Sequence, residues 1–145
     1  MYLLDTNIVS LFDPRRRAEA GPLLDWLRRH DRLIFLSVVT LTEIEAGYLK
    51  LLRDGKTARA AQIAALRDGL LADYSDRLLP IDRSVALTVA RLAEAARPIT
   101  LELADLQIAA TAAVHGYTVL TRNLRHFTPT GVLALDPLVG LPPQL

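Results

Sequence analysis

Four polar positions interrupt apolar segments or open helices, and their residue types suit hydrolytic chemistry: Asp5, Glu43, Asp105 and Asn123. Asp5 follows Tyr2-Leu3-Leu4 and precedes Ile8 and Val9. An aspartate at the carboxyl end of such a run suits an ordinary helix cap as well as a site. Asp105 shares a helical stripe with Leu101, Ile108, Ala109 and Ala112, so its carboxylate lies along the face that packs inward. A first-turn acid favoured by the helix dipole, or a buried ion pair with an arginine, would also explain it. Glu43 stands three residues after Thr40, the spacing of a capping box. Glu45 is a weaker candidate, expected to face solvent. Asn123 closes Thr121-Arg122-Asn123 and equally suits the cap of a short helix.

The positions say more together than singly, because each falls just after an expected strand or near the start of a helix. Two carboxylates ~4 Å apart repel by about 4 kcal/mol at an effective dielectric near ~20, so an acidic cluster requires protonation or a counter-cation. The chain has no cysteine, which excludes zinc-thiolate sites, iron–sulfur clusters, disulfides and thiol nucleophiles. An oxygen-only cluster favours Mg²⁺, with Mn²⁺ as a substitute. Such ions activate water and neutralise charge developing on a phosphodiester, which points to phosphoryl-transfer or nuclease chemistry.

The elements that must position these residues alternate along the chain. Strands are expected at Tyr2 to Leu4, Leu33 to Ser37, Leu78 to Pro80, Tyr117 to Thr121 and Val132 to Leu135. Helices are expected at Ile8 to Phe12, Leu23 to Arg29, from Thr40 onward, Thr57 to Ala72, from a cap at Asp82 to Ala96, and Leu103 to His115 closed by Gly116. Near-continuous apolar strands alternating with helices predict an α/β fold, a parallel sheet with helices on both faces. Sites in such folds lie beyond the carboxyl ends of the strands. The apolar face from Ala58 to Leu71 is expected to be core, or else a dimer or partner surface.

Length and composition set the outer bounds. A chain of 145 residues, 51% hydrophobic and 23% charged, is expected to form one compact soluble domain over residues 1–145. The net charge of +1 implies no particular partner, although 15 of the 17 cationic residues are arginine, the better phosphate ligand. No basic, apolar leader and no span of ~18 uncharged apolar residues is seen, so a cytoplasmic location and no membrane partner are expected. Phosphate loops, dinucleotide-binding glycines, the serine-hydrolase elbow and the zincin motif are all missing. A phosphoacceptor receiver would need an acidic pair after the first strand and a late lysine, whereas Asp5 stands alone and no lysine follows Lys56.

Five blocks carry a family resemblance: Leu3-Leu4-Asp5-Thr6-Asn7-Ile8-Val9-Ser10, Leu36 to Ile44, Leu79-Pro80-Ile81-Asp82, Asp105 to Ala112, and His115 to Asn123 with Phe127. In this order and spacing the chain resembles the PIN-domain ribonucleases, and more closely the VapC-type toxins, with their FitB-like branch, of type II toxin–antitoxin modules. The resemblance implies a PIN-like sheet of about four or five strands, a homodimer, and a toxin that cleaves RNA at an acidic Mg²⁺ site. It implies Asp5 and Asp105 as metal ligands, Glu43 as the third acid, and Thr6 and Asn7 as residues that orient the ligands. Asn123 occupies the place where many relatives carry a fourth acid. Relatives often read Thr-Arg-Asn-x-x-Asp-Phe, and here His126 replaces that aspartate. A single ion held by Asp5 and Asp105 is therefore expected, with His126 either contacting phosphate or capping a turn. Arg122, Arg125 and Arg15, the last in the run Arg15-Arg16-Arg17, are the candidates for RNA contact. The implied partner is an antitoxin that covers the cleft and supplies any DNA binding of the complex. A rival expectation is a catalytically silent PIN-like module that sequesters RNA or a protein.

Overall fold

The computed structural model describes residues 1–143. These form five short strands, β1 (Tyr2–Leu4), β2 (Ile34–Ser37), β3 (Leu78–Leu79), β4 (Thr118–Leu120) and β5 (Ala134–Leu135), in one sheet of order β3-β2-β1-β4-β5. Every neighbouring pair is parallel. All strands therefore end at the same edge. The helices are α1 (Thr6–Val9), α2 (Arg17–Ala20), α3 (Leu23–Arg29), α4 (Val38–Arg53), α5 (Thr57–Asp73), α6 (Arg83–Ala96) and α7 (Leu103–His115).

Successive side chains of a strand point to opposite faces, and β1 feeds two cores accordingly. Tyr2 and Leu4 pack with Ile8, Leu23, Trp26 and Leu27, while Leu3 packs with Val39, Ile108, Ala112, Val119 and Phe127. With both faces covered, the strands are apolar without alternation, which is why they are legible as parallel strands. The chain builds outward from β1 through β2 to β3, then crosses back to add β4 and β5 on the other side. The reversal of strand order places the crevice beyond the carboxyl ends of β1 and β4.

Most element boundaries fall within a residue or two of expectation, and the exceptions have local causes. The chain after β1 makes only one turn of α-helix before tightening into a 3₁₀ turn at Ser10–Phe12. The helix expected from Thr40 begins at Val38 instead, because Ser37, still extended at the end of β2, caps it by accepting the Val39 amide at 3.1 Å. Thr40 and Glu43 consequently do not form a capping box. Asp82 does cap α6, through the Val85 amide at 2.9 Å, and Gly116 closes α7 at φ 71°, a left-handed conformation suited to glycine. The α4–α5 pair packs as a hairpin in which Arg67 of α5 donates to Glu45 of α4 at 2.8 Å. Glu45 is thereby engaged in an ion pair rather than simply facing solvent. Ala60 and Leu70 make the inner face of α5 core, whereas Leu71 remains exposed.

Candidate active site

Asp5 sits where β1 ends, and its backbone amide still follows the sheet, donating to the Leu120 carbonyl of β4 at 2.9 Å. Its side chain is buried, with 6% exposure. One carboxylate oxygen accepts the Thr6 amide at 2.8 Å, which makes Asp5 the N-cap of α1, and the other accepts the Thr121 hydroxyl at 2.8 Å. Capping thus accounts for only one of the two oxygens. Burial pushes the Asp5 carboxyl above its ordinary value; the bonds from Thr121 and Thr6 pull it down, and the nearby Asp105 charge pushes it up.

Asp105, in the first turn of α7, is raised in the same direction. Burial is again the main cause, opposed by His126 and reinforced by Glu102 and Glu43. Its side-chain partner is His126, with Nδ1 3.1 Å from Oδ2, and not one of the arginines. The His126 ring therefore meets a carboxylate, where a turn cap or a phosphate contact was expected.

Glu43 projects from the second turn of α4, a consequence of the helix starting at Ser37. The Thr6 hydroxyl donates to Glu43 Oε1 at 2.8 Å and lies 3.0 Å from the Thr40 hydroxyl. Thr6 has one hydroxyl proton, so with that proton on Glu43 it is Thr40 that donates to Thr6. Asn7 accepts the Arg122 amide at 3.3 Å and reaches the Thr121 hydroxyl at 3.5 Å. Thr121 also accepts the Asn123 amide at 2.9 Å. A polar seam of hydroxyls therefore ties the ends of β1, β2 and β4 together.

The structure brings Asp5, Asp105 and Glu43 to one edge of the sheet, with Thr6 on Glu43 and Asn7 on the loop after β4. Asn123 joins through its backbone alone; its side chain is exposed and makes no hydrogen bond among the described residues. Two site roles are new in the structure, those of Thr121, expected only as a strand end, and of Thr40, expected only as a cap. Thr121 had one visible signal, a polar residue directly after the apolar run Val119-Leu120, on the strand neighbouring β1.

Among the described residues no three acids or histidines converge to clasp one ion, and Glu43 is drawn onto Thr6. Two oxygen-donor carboxylates, with the charge of Asp105 raising the proton affinity of Asp5, nevertheless fit a hard divalent cation, which commonly takes one or two carboxylates and keeps several waters. A groove of about 330 Å³ starts at Thr6 and Glu43 and passes Arg16, Lys50 and Arg59 between α4 and α5. Arg15 is exposed beside it; Arg122 lies 3.8 Å from Glu19, and Arg125 is exposed. A larger hollow near α3 and α5, about 580 Å³, holds none of the candidate acids.

The PIN domain model matches residues 2–130. The chain belongs to the PIN-domain family. Toxin FitB of Neisseria gonorrhoeae is 34% identical over 143 residues, covering 94% of this chain and 98% of FitB. VapC ribonuclease Y4jK of Sinorhizobium fredii is 30% identical over 140 residues, covering 94% and 97%. In three dimensions this PIN protein is similar to a chain in the structure of FitAB bound to an IR36 DNA fragment, with TM-score 0.80, 30% identity and coverage of 95% and 96%. The likeness extends to the whole α/β architecture, a parallel sheet flanked by helices. No described helix is long and apolar enough to cross a membrane.

Proposed function

We propose that this PIN protein is the toxic component of a type II toxin–antitoxin pair, an endoribonuclease that hydrolyses RNA phosphodiester bonds with a divalent metal ion. The observation that carries the reading is the pair of carboxylates at the carboxyl edge of the sheet, Asp5 buried and Asp105 partly buried, both with raised proton affinity, in a chain similar to FitB and to a VapC ribonuclease. Asp5 and Asp105 hold one ion, Mg²⁺ in the cell with Mn²⁺ as a substitute. The ion, when bound, polarises the phosphate and lowers the pKa of water.

The chain's own residues supply the rest. Thr121 and the Thr6 amide fix Asp5, the Thr6 hydroxyl holds Glu43 at the same edge, where it would act on water, and Asn7 holds the loop that carries Thr121 and Asn123. Arg15, Arg122 and Arg125, with Arg16 and Lys50 along the groove, steer the RNA backbone toward the acids. The whole of residues 1–145 works as one domain in the cytoplasm, as a homodimer, silenced by a cognate antitoxin through which alone the complex contacts DNA. The relatives favour this nuclease over a silent module that only sequesters RNA or a protein.

Purified protein is to be incubated with a tRNA and rRNA pool in Mg²⁺, Mn²⁺ or EDTA, beside Asp5→Asn. Metal-dependent cuts that disappear with the substitution are expected. Cuts that persist in the folded variant, or no cutting by folded, antitoxin-free protein in either metal, would replace this reading with the silent module.

A further inference from the structure

Asp5 and Asp105 are held very differently. Asp5 has a donor on each oxygen, a backbone amide and a hydroxyl. Asp105 is only partly buried, and its sole side-chain partner among the described residues is the ring of His126. That ring is anchored by its neighbourhood. His126 ends the 3₁₀ turn Leu124–His126, its amide donates to the Asn123 carbonyl at 3.0 Å, and the next residue, Phe127, is fully buried in the core that contains Ile108 of α7. The turn after β4 and the first turn of α7 are thus locked together by Phe127, and His126 spans the short gap between them.

We propose that His126 is the positioning residue of Asp105: its Nδ1–H donates to Oδ2, fixing the carboxylate and leaving Oδ1 as the oxygen available to a divalent cation. The role needs no change of charge, because Nδ1 donates in the neutral Nδ1–H tautomer and in the charged ring alike. Hydrogen bonds of this kind to metal-binding carboxylates commonly contribute ~10–100-fold in metal affinity. The role also explains how a histidine serves in the sequence where a further acid was expected, since the imidazole orders an existing ligand rather than adding one.

The inference rests on the proposed metal-dependent site, and calorimetric titration of the full chain with Mn²⁺ separates the two. Wild type, Asp5→Asn, His126→Ala and His126→Asn are compared, with melting in EDTA as the check on folding. His126→Ala is expected to bind Mn²⁺ ~10–100-fold more weakly with its fold retained, and cleavage to recover at saturating Mn²⁺. His126→Asn, whose Nδ2 can stand in for Nδ1, should bind within a few-fold of wild type. If alanine loosens the turn, His126→Leu fills the space without a donor and should give the same loss. Binding by a folded donor-free variant as tight as wild type, while Asp5→Asn binds poorly, would overturn the role of His126 and leave the metal site standing. So would failure of a folded His126→Asn to restore affinity. Wild type that takes up no Mn²⁺ would overturn the metal site itself, and this inference with it.

Discussion

Asp5 and Asp13 are two buried aspartates with 6% and 4% exposure, both N-caps on extended backbone, yet their carboxyl groups are shifted in opposite directions. Each accepts a nearby amide, Thr6 for Asp5 at 2.8 Å and Arg15 for Asp13 at 3.1 Å. Asp13 is also gripped through both oxygens by the Arg59 guanidinium of α5, which holds its carboxyl below the usual range against the cost of burial. Asp5 has a hydroxyl where Asp13 has a cation, and it faces the Asp105 carboxylate. Burial and capping are therefore no mark of a site by themselves. Negative charge left without a matching fixed cation is, because something that comes and goes must complete it.

The comparison breaks most visibly through activity. Asp5→Asn should cut RNA cleavage by roughly 100-fold or more, equivalent to about 3 kcal/mol of transition-state stabilisation, with the fold retained. Asp13→Asn should leave metal-dependent cleavage in place wherever the protein is folded. Its cost is in stability: Asp13→Ala or Arg59→Ala should lower the free energy of urea unfolding by about 2 kcal/mol, as a charge-assisted hydrogen bond is lost and its partner left behind. The Asp13 contribution is present above the ordinary carboxylate value and fades as pH falls through the lowered folded value, so Arg59→Ala should differ least from wild type in acid. Loss of cleavage in a fully stable Asp13→Asn would remove the distinction between the two aspartates. Next in size is Thr121→Val, expected to cost about 1 kcal/mol in the same unfolding experiment by leaving one Asp5 oxygen without its donor.

What could be read from the residues follows the range of the forces involved. β1, α3 and α7 lie where apolar runs, stripes and the closing Gly116 place them, because those signals are local. Asp5 and Asp105 stood out for the same reason, as acids inside locally apolar patterns. α4 starts two residues before the expected Thr40 because Ser37 and Thr40 are both able caps, and the pairing of β2 with β1 and β3 decides which of them is still extended. The contacts that make the site specific join residues far apart in sequence: Thr6 with Thr40 and Glu43, Thr121 with Asp5, His126 with Asp105. No periodicity carries them. The first two exist because the sheet order sets β1 between β2 and β4, and the third because Phe127 packs the turn after β4 into the core that holds Ile108 of α7.

The smallest effect tests the physical basis of the contrast without any substrate. In the metal-free protein Asp5 binds its proton at higher pH than it does in the unfolded chain, where its value is about 3.9. Between those two values the folded state holds more protons than the unfolded one, so stability falls as pH rises through the window and stays reduced above it. Asp5→Asn has no such proton to lose and keeps a side chain of the same shape, with an amide able to donate to the Thr121 hydroxyl. In EDTA, then, the variant should melt above wild type at pH 7, and the two curves should converge below about pH 4. Asp13→Asn should show the opposite sign at pH 7. Adding Mg²⁺ should raise the wild type and leave Asp5→Asn where it was, since only a folded state that binds the ion gains from it. An Asp5→Asn protein less stable than wild type at pH 7 in EDTA would mean that Thr121 and the Thr6 amide already complete the Asp5 charge as fully as Arg59 completes that of Asp13.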